Sequence, residues 1–213
     1  MIVKFDWDGT LCDSIDHIVE AMQDTADELS LQSPTVDAVR DIVGLGLPEA
    51  LARLFPALDH DELAAVAAAY SRHFAAPHRG PSQLYSGAMD TLLALRERGM
   101  ELAVATGKSR RGLDRVLASL ELTDFFEVTR CADETHSKPH PRMLHEIMSA
   151  RYKSTEEVVM IGDSEYDLEM ATNAGVRSVG VSHGVHDSGR LAAHQPLAIV
   201  DSLPQLLDLA VLS

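Results

Sequence analysis

Ile2-Val3-Lys4-Phe5-Asp6-Trp7-Asp8-Gly9-Thr10 opens the chain with a short apolar strand candidate that stops at two acids. On extended backbone, residues i and i+2 project to the same side. Asp6 and Asp8 therefore repel unless a cation or a proton lies between them. Two later apolar runs end in the same way. Leu102-Ala103-Val104-Ala105 stops at Thr106, and Val158-Val159-Met160-Ile161 stops at Gly162-Asp163. In an open parallel sheet, ligands bind outside the carboxyl ends of the strands. Asp6, Asp8, Thr106 and Asp163 are thereby expected around one crevice.

Working outward, Phe126–Thr129, Val179–Val181 and Ile199–Val200 are further strand candidates. Between them lie helix patterns from Ser86, as N-cap, to about Arg98, from Ser109 to about Leu120, from Pro141 onward, and from Glu165 to Asn173. Strands alternating with helices imply an α/β fold, Rossmann-like, with a mostly parallel sheet and helices on both faces. The stretch 14–83 differs. Ile15, Ile18, Val19, Met22, Ala26 and Leu29 recur at helical spacing, Leu63 to Tyr70 is Ala-rich, and Pro34, Gly44, Gly46, Pro48 and Pro56 divide it into about four helices. No strand is read there. We expect a catalytic core of residues 1–13 and 84–213 with an all-helical insert over 14–83.

The bulk composition limits the partners. The 213 residues are 46% hydrophobic and 24% charged, with a net charge of -15, which suits an ordinary globular protein. That charge argues against nucleic acid, whose phosphates reward clustered Lys and Arg. No apolar run is long enough to cross a bilayer, and no secretory signal pattern is read. Cys12 and Cys131 have no metal-like spacing and read as reduced thiols, which favours a cytoplasmic setting. Monomer and homodimer both stay open.

Each polar cluster has an ordinary reading beside a chemical one. Asp6-Trp7-Asp8-Gly9-Thr10 is either a solvated Asp-Gly turn or a carboxylate pair. In the second case one acid attacks phosphorus while the other handles the leaving-group proton, and Gly9 brings its backbone close to phosphate. Asp163 and Asp167, one helical turn apart, are a helix cap or half of a site for a hard cation such as magnesium. Thr106-Gly107-Lys108-Ser109 is a plain cap or an anion cradle at a helix start. Lys138, in Lys138-Pro139-His140-Pro141, is taken alone a surface lysine. Gly44-Leu45-Gly46-Leu47-Pro48 lacks a dinucleotide fingerprint.

In this order, Asp6-x-Asp8-Gly9-Thr10, Thr106-Gly107-Lys108, Lys138-Pro139 and Gly162-Asp163-x-x-x-Asp167 resemble the haloacid dehalogenase superfamily, in its phosphoglycolate phosphatase-like branch with a helical cap. The resemblance covers essentially the whole chain. It implies a Mg2+-dependent phosphoric monoester hydrolase acting on a small phosphorylated metabolite. Asp6 would form an aspartyl-phosphate and Asp8 would act as general acid and base. Asp6, the Asp8 backbone carbonyl and Asp163 would hold the metal, with Asp167 in support. Thr106 and Lys138 would bind phosphoryl oxygens, helped by amides near Gly9 and Gly107, and Thr10 would orient the nucleophile loop. Gly107 stands where many relatives carry Asn. A sugar-phosphate mutase on the same scaffold is the nearest alternative, against which Thr10 speaks; a non-catalytic phospho-ligand binding protein is another. Specificity is expected from the insert, where Arg53, Arg40, Arg72 and Arg79 are candidate anion contacts and Arg53 is favoured.

Overall fold

In the computed structural model, which describes residues 1–76 and 83–212, the opening apolar run forms strand β1 (Ile2–Phe5). A two-residue strand β2 (Cys12–Asp13) follows. Helices α1 (Ile15–Glu28), α2 (Val36–Ile42), α3 (Leu47–Leu54) and α4 (His60–Phe74) come next, and β3 (Gln83–Leu84) pairs back antiparallel onto β2. The rest alternates: α5 (Ala88–Glu97), β4 (Glu101–Thr106), α6 (Arg110–Ser119), β5 (Val128–Cys131), α7 (Arg142–Arg151), β6 (Val158–Gly162), α8 (Glu165–Asn173), β7 (Arg177–Val181), α9 (Ser188–Ala192) and β8 (Ile199–Val200).

The six longer-range strands form one parallel sheet in the order β5-β4-β1-β6-β7-β8. β1 is central, and the chain runs outward from it first through β4 and β5, then through β6, β7 and β8. The reversal leaves a crevice at the carboxyl ends of β1, β4 and β6.

Alternation along β1 sorts its side chains between two cores. Val3 and Phe5, continued by Trp7, pack with Leu92 and Leu95 of α5 and Leu113 and Leu117 of α6. Ile2 faces the other layer, with Met143, Leu144 and Ile147 of α7 and Met170 of α8. Lys4 lies fully buried, its Nζ donating to Leu144 O at 2.9 Å. Burial without a counter-charge pushes its ammonium down to about 7. A base lowered in this way costs stability most below pH 7, and the cost fades as pH rises toward the ordinary lysine value. Lys4→Met is therefore expected to stabilise the fold by about 2–4 kcal/mol at pH 7, less at pH 9, and little near pH 10. Urea titrations at these pH values check it; a gain that does not depend on pH would refute a buried charge.

The four insert helices share a separate apolar cluster built from Ile18, Met22, Val39, Leu51, Phe55 and Val66, joined from the core by Tyr166. Helix α4 begins with a capping box between Asp59 and Glu62.

Three expectations need correction. Strand β5 occupies 128–131 rather than 126–129, because Phe126 turns edge-on to Trp7, with ring centroids 6.2 Å apart, instead of entering the sheet. Helix α5 is capped by Gly87 at φ 76, not by Ser86. The ribbon of β2 and β3 was not foreseen, since two-residue strands carry no readable alternation. Among the described residues no helix is long and apolar enough to cross a membrane.

Candidate active site

Asp6 follows β1, and Asp163 follows β6, its hydrogen-bonded neighbour. Asp6 N–H donates to Ile161 O at 2.9 Å, which ties the two strand ends together. Asp167 stands in the first turn of α8. Carboxylate oxygens of Asp6, Asp163 and Asp167 lie within 4.8 Å of one another, and all three residues are buried. Lys138, from the segment before α7, reaches into the group. Its Nζ is 2.6 Å from Asp6 Oδ1 and 2.7 Å from Asp167 Oδ1.

The remaining oxygens are held individually. Thr10 Oγ1 donates to Asp163 Oδ1 at 2.6 Å, and Val185 N–H donates to Asp163 Oδ2 at 2.9 Å. Ser164 closes a cap by donating from its N–H and its hydroxyl to Asp167 Oδ2. Asp6 Oδ2 is buried and has no hydrogen-bond partner among the described residues. Burial first, then the charges of Asp167 and Asp163, push the Asp6 carboxyl well above its ordinary range, with Lys138 opposing. Burial, reinforced by Asp167, pushes Asp163 up to about 7. Burial works against the Lys138 ammonium, but Asp167 and Asp6 outweigh it and hold the group above its ordinary value. Three carboxylates against one ammonium leave this pocket short of positive charge.

Asp8 sits apart from that cluster. Lys108 Nζ grips both its oxygens, at 2.9 and 3.0 Å, and Ser14 Oγ donates to Oδ1 at 2.7 Å. Its side chain is thus no member of the acidic group, which leaves the backbone carbonyl as the atom Asp8 could offer a metal. Lys108 is likewise occupied by Asp8, and lies 4.5 Å from the Phe74 ring centroid of the insert. The Gly9 N–H donates to Cys12 O at 2.9 Å, so that amide itself is committed within the turn. What Gly9 supplies is a φ of +84 and space: a Cβ there would stand 2.2 Å from Asp163 Oδ2. A Cβ on Gly107 would stand 2.3 Å from Leu45 O, so this glycine lets the insert loop settle onto the β4–α6 turn. Thr106 Oγ1 accepts from Lys108 N–H at 3.1 Å.

A cavity of about 760 Å³ opens over Asp6, Asp8, Thr106, Gly107 and Lys108. Arg53 is not in its lining. That guanidinium donates to Tyr166 Oη at 2.8 Å and covers its ring, lining a second cavity of about 570 Å³ beside Lys138. Arg40 donates to Gly184 O at 2.8 Å, and Arg72, which does line the first cavity, pairs with Glu28 at 2.5 Å. Arg79 lies outside the described residues. Arg111 and Arg115 of α6 also line the first cavity and were missed. Four residues apart on a helix, they carry no sequence signal beyond that of a solvated face. Ser14 was missed as well, since it reads as the edge of the insert.

The sequence pattern of the haloacid dehalogenase-like hydrolases matches residues 3–181. The chain belongs to that family. Among relatives of this hydrolase, Probable phosphatase IndB of Dickeya dadantii is 32% identical over 216 residues, covering 98% of this chain and 93% of the relative. Phosphoglycolate phosphatase of Vibrio vulnificus is 30% identical over 220 residues, covering 100% and 96%. A crystal structure of a haloacid dehalogenase-like protein from Bacteroides fragilis superposes with a TM-score of 0.90 at 27% identity, covering 96% of this hydrolase and 98% of that chain. The hydrolase is accordingly an enzyme of the phosphatase kind, and its α/β core is that of the family.

Proposed function

We propose that the protein is a magnesium-dependent phosphatase that passes through an aspartyl-phosphate on Asp6 and acts on a small phosphorylated metabolite of the phosphoglycolate kind. The observation that carries this reading is the buried group of Asp6, Asp163, Asp167 and Lys138 at adjoining strand ends, with Asp6 Oδ2 unpartnered beneath an open cavity. The donor set fits a hard divalent cation, which takes oxygen ligands. Asp6 and Asp163 would hold it, with the Asp8 carbonyl as the family resemblance implies. Asp167, both of whose oxygens are engaged, would support from behind. The bound cation would supply the positive charge that the three carboxylates lack and help neutralise the phosphoryl group.

The chain's own residues then divide the work. Asp6 Oδ2 attacks phosphorus, and the substrate oxygen leaves with a proton from the Asp8 carboxyl. Asp8 next takes a proton from the water that attacks the aspartyl-phosphate, releasing inorganic phosphate and restoring Asp6. Lys108 and Ser14 fix the direction in which Asp8 faces. Lys138 and Thr106 neutralise and bind phosphoryl oxygens. Residues 14–83 act as a cap over a core of 1–13 and 84–213 and exclude water from the first step. Cys12 and Cys131, both buried and not joined in a disulfide, suit a reducing cytoplasm.

Phosphoglycolate, other phosphorylated metabolites and an aryl phosphate, assayed with magnesium and with a chelator, test the reading. Magnesium is expected to raise turnover by at least about 100-fold. Near-saturating magnesium is expected to raise Tm by about 5–10 °C. Hydrolysis unaffected by chelation, or no hydrolysis of any compound, would refute it.

A further inference from the structure

The cavity over Asp6 falls in the size range that encloses whole drug-sized ligands, about 300–1,000 Å³. Much of its wall is apolar, including Ile18, Met22, Val43, Tyr70 and Phe74 from the insert. Opposite them runs α6, from which Arg111 and Arg115 line the same space. Four residues apart, the two share a helix face and are offset by about 6 Å along it.

Their electrostatic state sets them apart. Every other arginine among the described residues has a partner. Arg72, Arg110, Arg130, Arg142, Arg151 and Arg190 pair with carboxylates. Arg40, Arg98 and Arg177 donate to carbonyls, and Arg53 and Arg96 rest on aromatic rings. Arg111 and Arg115 have no such contact among the described residues, in a chain whose 33 acids outnumber its 18 bases. Acidic partners are abundant, yet none among the described residues pairs with either arginine; Asp114 on the same helix goes to Arg110 and Asp8 to Lys108. Gly112, between them, also lines the cavity, and a Cβ there would press on Lys108 Cγ at 3.1 Å. The Lys108 stem thus crosses the bare helix face toward Asp8, which neutralises it. The cavity that holds Asp6 thus also carries two exposed arginines without a partner among the described residues, together with apolar side chains of the insert.

We propose that Arg111 and Arg115 bind a second anionic group of the substrate, and that the substrate is a phosphomonoester whose apolar body separates this anion from the phosphate. The inference rests on the phosphatase reading and narrows its substrate class. Phenyl phosphate and 4-carboxyphenyl phosphate differ by one carboxylate across a ring and serve as probes. Both are titrated by calorimetry, with magnesium present, into Asp6→Asn protein with and without Arg111→Gln and Arg115→Gln. Both are also assayed for hydrolysis with Asp6 intact. The paired substitution is expected to lower the preference for the carboxylated compound about tenfold, through two partly solvated ion pairs. A preference that does not change, or a failure of both compounds to bind, overturns the inference. The expected change in binding, without hydrolysis of either compound by the protein retaining Asp6, upholds the second-anion site and refutes the phosphatase reading instead.

Discussion

Asp6→Asn is expected to lower magnesium-dependent turnover by at least about 10⁴-fold while making the metal-free protein more stable. The two effects have one cause. Asp6 is buried beside Asp163 and Asp167, and among the described residues Lys138 is the one ammonium in contact with the group. Asparagine keeps the shape, removes the attacking oxygen's charge and relieves the repulsion that now pushes the carboxyl upward. Relief of buried like charge is worth about 1–3 kcal/mol. Hydrolysis of an aryl phosphate and thermal melts in chelator measure both. Equal turnover would remove Asp6 as nucleophile. Lost turnover with lowered stability would show that the ion pair with Lys138 outweighs the repulsion from Asp163 and Asp167.

Lys138→Met is expected to destabilise the metal-free protein by about 3–5 kcal/mol, because it strands buried carboxylates without their cation. Magnesium is expected to return part of that loss, since a bound dication serves the same carboxylates. Turnover should fall by about 10²–10³-fold even at saturating metal, the scale on which one preorganised charge contact to a transition state acts. Combining Lys138→Met with Asp6→Asn should cost less stability than the sum of the single changes, because a charge and its counter-charge leave together. Urea titrations with and without magnesium give the cycle. Strict additivity would show that the 2.6 Å contact between Lys138 and Asp6 carries no net interaction.

Much of this site was legible in the sequence because strand ends are local features. An apolar run that stops at an acid needs no partner to be seen, and Asp6, Thr106 and Asp163 were found in this way. Alternation also placed Trp7 away from the acids, and it lies in the core against Phe126. Lys138 was different. It sits in a connection ahead of α7, where periodicity says nothing; taken alone it reads as a surface lysine able at most to neutralise nearby charge, and the family resemblance raised it to a phosphoryl contact. Arg53 was favoured as an anion contact from the sequence, which does not show that Tyr166, 113 positions along the chain, holds its guanidinium. The amide of Gly9 itself goes to Cys12 O within the turn, a pairing that no local pattern announces.

By itself the sequence determined the α/β class, the helical character of the insert and the acids that end the strands. Each of these follows from side-chain pattern against a backbone repeat of 2 or 3.6 residues. Tertiary structure alone decided which oxygens of those acids stay uncommitted, that Lys108 answers Asp8, and that Arg111 and Arg115 face a cavity. These depend on distances between segments far apart in the chain, and charge–charge energies depend on separation and burial, neither of which a linear sequence contains.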